Sequence, residues 1–117
     1  MKRSKKDFEV FKKTFQKYQD LFGLSGYSVF FRHEKLEGNI FGSINISLCD
    51  MTAAVSFNTE LDEHLYAERD VKSTAKHEAL HLLTGRIDQL AKNRHSTEAE
   101  IYAASEELVN KLMGLIP

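Results

Sequence analysis

The sequence predicts an α+β domain: an N-terminal helix, a small and mainly antiparallel three-stranded sheet, and two further helices. Three observations carry that prediction. Aromatic residues recur at helical spacing near the start, three β-rich runs follow on short links, and helical apolar stripes occupy the rest. With 117 residues there is room for one domain, 1–117, and one modest core.

The first helix is predicted from about Ser4 to Phe22. Phe8, Phe11, Phe15, Tyr18 and Phe22 lie at 3-4-3-4 spacing and lay one aromatic stripe along one face. Ser4 and Asp7 resemble a capping box, and Gly23 is a natural stop. Seven Lys/Arg against three acids over Met1–Asp20 read as a solvated face around that stripe.

Three strands are expected next. Tyr27 to Arg32 is β-rich and follows the breaker Gly26. A Glu37-Gly38-Asn39 turn leads to Ile40–Cys49, where Ile44, Ile46 and Leu48 alternate with Ser43, Asn45 and Ser47. Asp50-Met51 turns the chain again before Ala53–Asn58. Links this short favour an antiparallel meander with one polar face. The polar stretch Asn58–Arg69 reads as an exposed connection; the alternative is a cleft border carrying His64 and Tyr66.

Asp70 is a plausible N-cap for the next helix. Its apolar stripe, Leu80, Leu83, Ile87 and Leu90, runs to about Asn93, with Gly85 tolerated inside it or marking a kink. Asn93–Thr97 forms a polar turn. Thr97 and Glu100 make a capping box that opens the last helix, to about Leu115.

Composition narrows the classes of partner. The net charge of −1 draws the chain to neither nucleic acid nor an anionic membrane. The lone cysteine, Cys49, excludes an internal disulfide, and its alternating run predicts a buried core thiol. No apolar run approaches the ~18 residues of a membrane span, and the charged start is unlike a signal peptide. The expectation is a soluble cytoplasmic protein.

The chemistry is concentrated in His77-Glu78-Ala79-Leu80-His81, an H-E-x-x-H within a predicted helix. Residues four apart on a helix stand one above the other, so His77 and His81 can offer two ring nitrogens to one metal ion. Zinc accepts neutral imidazoles, and a catalytic site adds a third protein ligand and leaves one position for water. Glu78, about 100° round the helix from His77, is placed to act on that water as general base.

The third ligand needs a different argument. A metzincin continuation requires Gly at 84 and His at 87, where the chain has Thr84 and Ile87. His95 lies in the turn and reads as a surface residue. If the last helix returns antiparallel to the motif helix, residues around 106 to 109 come level with the metal. Glu106 falls in an apolar stripe with Ala99, Tyr102, Val109, Met113 and Ile116, read as facing inward, where a cation would offset a buried carboxylate. Glu98 is the alternative if the motif helix ends at Gly85.

With these motifs in order, nearly the whole chain resembles a zincin, specifically a minimal gluzincin. The segment Phe22–Tyr27, the strand Ala53–Asn58 and Ala75–Leu83 are similar to small phage and prophage metallopeptidase-like proteins, whose last helices carry a Glu before an apolar pattern, like Glu106–Leu112 here. A fainter likeness to ImmA/IrrE-type peptidases rests on Glu98–Ala104 and carries the third-ligand role to Glu98. The chain departs from the thermolysin-like ExxxD pattern, with Tyr102 and Asn110 four residues after Glu98 and Glu106.

The resemblance implies zinc-dependent hydrolysis of a peptide or protein. Zn2+ would sit on His77, His81 and Glu106, Glu78 would be the base, and Tyr66, Tyr102 or His64 a second electrophile. An extended substrate would pair with an exposed edge strand above the motif helix. The competing expectation is a non-catalytic metal-binding or protein-interaction protein that keeps the zincin shape, because so short a chain leaves little wall for a cleft.

Overall fold

The computed structural model describes residues 5–38, 40–60 and 71–115. Among them are three helices, α1 (Lys5–Leu21), α2 (Val71–Lys92) and α3 (Glu98–Met113), and three strands, β1 (Ser28–Glu34), β2 (Gly42–Ser47) and β3 (Thr52–Asn58). The architecture is α+β. Ser4 and Asp70, the predicted caps of α1 and α2, lie outside the described residues, as do His64 and Tyr66.

The sheet differs from the meander in its order, which is β1-β3-β2. β3 is central: it pairs parallel with β1 and antiparallel with β2. The physical reason lies in the side chains. β3 carries Ala53, Val55 and Phe57 toward the core and buries Ser56 and Asn58 on its other face, so it belongs in the middle. β2 exposes Ser43 and Asn45, as suits an edge. The chain therefore passes from β1 to the opposite edge before returning, and β2 is itself part of the crossover between two parallel neighbours.

Asn58 holds that crossover. Its side chain is fully buried, its Nδ2 donates to Ile40 O at 2.6 Å, and its Oδ1 accepts from the Leu36 and Glu60 amides at 3.1 Å each. Gln19 does the same for the α1–β1 connection, donating to Leu24 O and Tyr27 O at 3.0 Å each. The β2–β3 turn is tight, with Met51 in the left-handed region at φ 52°. Cys49 sits on this turn and is exposed, which corrects the expected core thiol: β2 ends at Ser47, so the alternation no longer governs position 49.

The helices cover one face of the sheet. Phe11 and Phe15 of α1 are fully buried and meet Phe57 and Phe31 of the strands. Thr74, Ala75, Ala79, Leu82 and Leu83 bring α2 onto the same core. Gly85 is inside α2 without breaking it. A Cβ there would stand 2.8 Å from Ile46 Cδ1, so its absence lets helix and edge strand meet. The Thr97–Glu100 capping box is present: the Glu100 amide donates to Thr97 Oγ1 at 3.1 Å and the Thr97 amide to Glu100 Oε1 at 3.0 Å.

α3 turns a different face inward from the one its longer stripe predicts. Ala104 is buried, and Leu108 and Leu112 pack on the core. Tyr102, Val109 and Met113 are exposed at 67%, 48% and 71%. No helix among the described residues is long and apolar enough to cross a membrane.

Candidate metal centre

The centre starts from the phase of α2. At about 100° per residue, His77, His81 and Asp88 share one side of the helix, and Glu78 is turned from them toward the core. The two imidazoles are exposed, whereas Glu78 is only 5% exposed. Its carboxylate is carried under β2, where a Cβ on Gly42 would stand 3.6 Å from Glu78 Cγ, 3.3 Å from Thr74 Cγ2 and 3.1 Å from Ser56 O. Glycine at 42 therefore lets the edge strand approach the motif helix at the level of its general-base candidate.

The rings of His77 and His81 meet edge-on, with Nε2 3.2 Å from Nε2. Two nitrogens bound tetrahedrally at ~2.0–2.1 Å stand about 3.3–3.4 Å apart, so the pair is within about 0.2 Å of the spacing of two ligands on one zinc ion. Without a metal the same contact is a hydrogen bond from the protonated Nε2 to the other. The fit extends to the donor type, since both are imidazoles and both face the groove.

That groove lies between α2 and the edge strand and encloses about 430 Å³. Gly42 to Ile46 form one wall; His77, Glu78 and His81 form the other, continued by Gly85, Asp88, Gln89 and Lys92. Thr84 Oγ1 donates to Asp88 Oδ2 at 2.8 Å and fixes that carboxylate on the helix surface. Gln89 Nε2 donates to Ile46 O at 3.0 Å across the end of the groove.

Glu106 does not join the histidines. It is exposed on the outer side of α3, and among the described residues no group of three or more His, Cys, Asp or Glu is placed to hold a metal ion. The cause is the side of α2 on which α3 packs. Arg86, which pairs with Glu107 of α3, is nine residues past His77 and so about 180° away round the helix. Glu98 is likewise exposed, beside Thr97, Ala99 and Tyr102. Tyr102 shares that outer surface and is not in the groove, which corrects its expected place as second electrophile. His95 lies in the α2–α3 turn, within 3.3 Å of Arg94 Nε, as a surface residue.

A second cavity of about 320 Å³ lies on the α3 side, among Gly23–Tyr27, the β2–β3 turn, Arg86, Glu107 and Lys111. Its charges are engaged within the protein: Arg86 with Glu107, and Lys111 Nζ donating to Gly23 O at 2.9 Å. Burial raises the pKa of the Tyr27 hydroxyl there, Glu107 adds to the rise and Arg86 opposes it. This cluster ties α3 to the rest of the fold.

His77, Glu78 and His81, the residues named from the sequence, line this groove together with Gly42 and Gln89, which were not named. The signal for Gly42 was a glycine inside a strand pattern, which marks a close backbone approach. Gln89 had no such signal, because its partner is a backbone carbonyl 43 residues away. Compared with known proteins, the chain matches no protein-family model, no curated protein and no solved structure.

Proposed function

We propose that the protein is a zinc-dependent peptide hydrolase whose working groove lies between α2 and the β2 edge. The observation that carries this reading is the 3.2 Å separation of the His77 and His81 Nε2 atoms beside the buried carboxyl of Glu78. His77 and His81 would hold the metal. Bound there, zinc would bring the pKa of a water molecule toward ~7 and polarise the scissile carbonyl. Glu78, buried at the wall of the groove on the same helix, takes the proton of the attacking water and returns it to the leaving amine. The edge of β2 orients an extended peptide through main-chain hydrogen bonds, along the wall opposite the histidines.

Elemental analysis of protein purified without added metal tests the metal centre. Near-stoichiometric zinc is expected in the wild type and in Glu106→Gln, and none in His77→Ala or His81→Ala. Glu78→Gln should keep its zinc and lose at least about 100-fold in hydrolysis of a mixed peptide library. A wild type that takes up no zinc on titration refutes the reading. Zinc without hydrolysis by the wild type leaves the competing one, a metal-binding interaction protein. The absence of a converging third ligand among the described residues is what favours that competitor.

A further inference from the structure

We infer that Gln89 is a specificity-determining residue that fixes the length of peptide the β2 edge can hold. The inference rests on the reading of the groove as a site for an extended peptide, and it concerns the end of that site farthest along α2.

The backbone of β2 alternates between its neighbour and open space. Phe41 O accepts from the Asn58 amide of β3 at 3.1 Å, and Ser43, Asn45 and Ser47 lie opposite Ser56, Ala54 and Thr52. Groups two residues apart point the same way, so Ser43, Asn45 and Ser47 face β3 while Gly42, Ile44 and Ile46 face outward. The hydrogen bond from Gln89 Nε2 to Ile46 O agrees with this assignment, because only an outward carbonyl is within reach of α2 in this way. Gln89 thus supplies to Ile46 the donor that the next residue of an incoming strand would supply.

The packing pinches the groove at the same level. A Cβ on Gly85 would meet Ile46 Cδ1, whereas Glu78 stands beside Gly42, four residues back along the strand. From Gly42 to Ile46 is four strand steps, about 13 Å. Within that length only Gly42 and Ile44 have both outward groups available for an incoming chain. An extended segment of about four residues saturates the edge, and a longer one must displace Gln89.

The test uses zinc-loaded Glu78→Gln protein and N-acetylated, C-amidated peptides of alternating Thr and Val, two to eight residues long. Binding is followed at the Gly42 and Ile44 amides by NMR. In the Gln89-containing protein, affinity is expected to rise up to about four residues and then stay within about twofold. Adding Gln89→Ala should leave the shortest peptides unchanged and let longer ones gain roughly tenfold from the newly available hydrogen bonds. Unchanged affinity for the shortest peptides separates this from a general loosening of the fold. The same length dependence in both proteins, or no peptide shifting either amide, overturns the proposal. Hydrolysis by the Gln89→Ala variant with Glu78 intact is assayed separately: a length effect without turnover removes the hydrolase reading alone.

Discussion

Two helices of this protein carry apolar stripes of similar spacing, and the fold buries one in part and leaves most of the other in solvent. In α2, Leu83 of the predicted stripe is buried together with Ala75, Ala79 and Leu82, Leu80 is 40% exposed, and the histidines are delivered to a groove. In α3 the longer stripe, Tyr102, Val109 and Met113, is left in solvent, while Ala104, Leu108 and Leu112 face the core. The difference is in how many neighbours fix each helix. α2 lies against α1, β2 and α3, so its phase is over-determined. α3 touches the body along one side, is positioned by Arg86–Glu107 and Lys111–Gly23, and can satisfy its core contact with small or short-reaching side chains. A stripe of large apolar residues identifies a helix; it does not say which side of a peripheral helix is turned inward.

Substitutions on α3 sharpen that contrast. Leu108→Ala should lower the unfolding free energy by about 1–2 kcal/mol, because it empties a half-buried core position. Val109→Ala, one residue on but in solvent, should stay within about 0.5 kcal/mol. Urea titration of both measures the difference, and equal losses would return α3 to the opposite phase. A smaller effect is expected at the start of the same helix. Thr97→Ala removes the cap that the Glu100 amide uses and should cost about 1 kcal/mol by the same titration. The Glu100 carboxyl is held below its usual pKa by the hydrogen bonds from Thr97, the main-chain one first. The cap therefore contributes above the ordinary carboxylate range and is lost as pH falls through the depressed value, so Thr97→Ala should be least harmful in acid.

The smallest effect is expected under α1. His33 is tucked beneath Phe8, ring centroids 4.7 Å apart, with its Nε2 buried and without a hydrogen-bond partner among the described residues. Burial lowers its pKa, and Asp7 acts weakly in the opposite direction. The folded state thus favours the neutral ring, and the unfolded chain takes up a proton first as pH drops below about 6.5. Stability should fall from that pH down to the depressed folded pKa. Thermal midpoints of the wild type and His33→Phe across this range should converge in neutral buffer and part in acid; parallel curves would mean that His33 does not titrate on unfolding.

Much of this was legible in the residues, for reasons that can be stated. The aromatic stripe of α1, the capping box of α3 and the H-E-x-x-H of α2 are local patterns, and local patterns survive folding when nothing competes with them. The strand order was not legible. Short links suggest neighbours, but what placed β3 in the centre was a two-sided burial that includes the polar Ser56 and Asn58, each satisfied by a distant partner: Glu34 for the first, Ile40 and Leu36 for the second. The misplacement of Glu106 has the same origin as the inverted stripe, since both followed from one assumption about the inward side of α3.

The hydrogen bond between Gln89 and Ile46 also bears on edge-to-edge pairing between copies of the protein. A free sheet edge that can receive a peptide can equally receive the edge of another molecule of the same kind, and long flat edges do so readily. Here the strand has six residues, one end is covered by a side chain from the helix, and its outer face carries Ser43 and Asn45. What remains is a short ladder, which limits how far a second copy could pair along this edge. The same amide that defines the end of a groove thus shortens the β2 edge that another copy could meet.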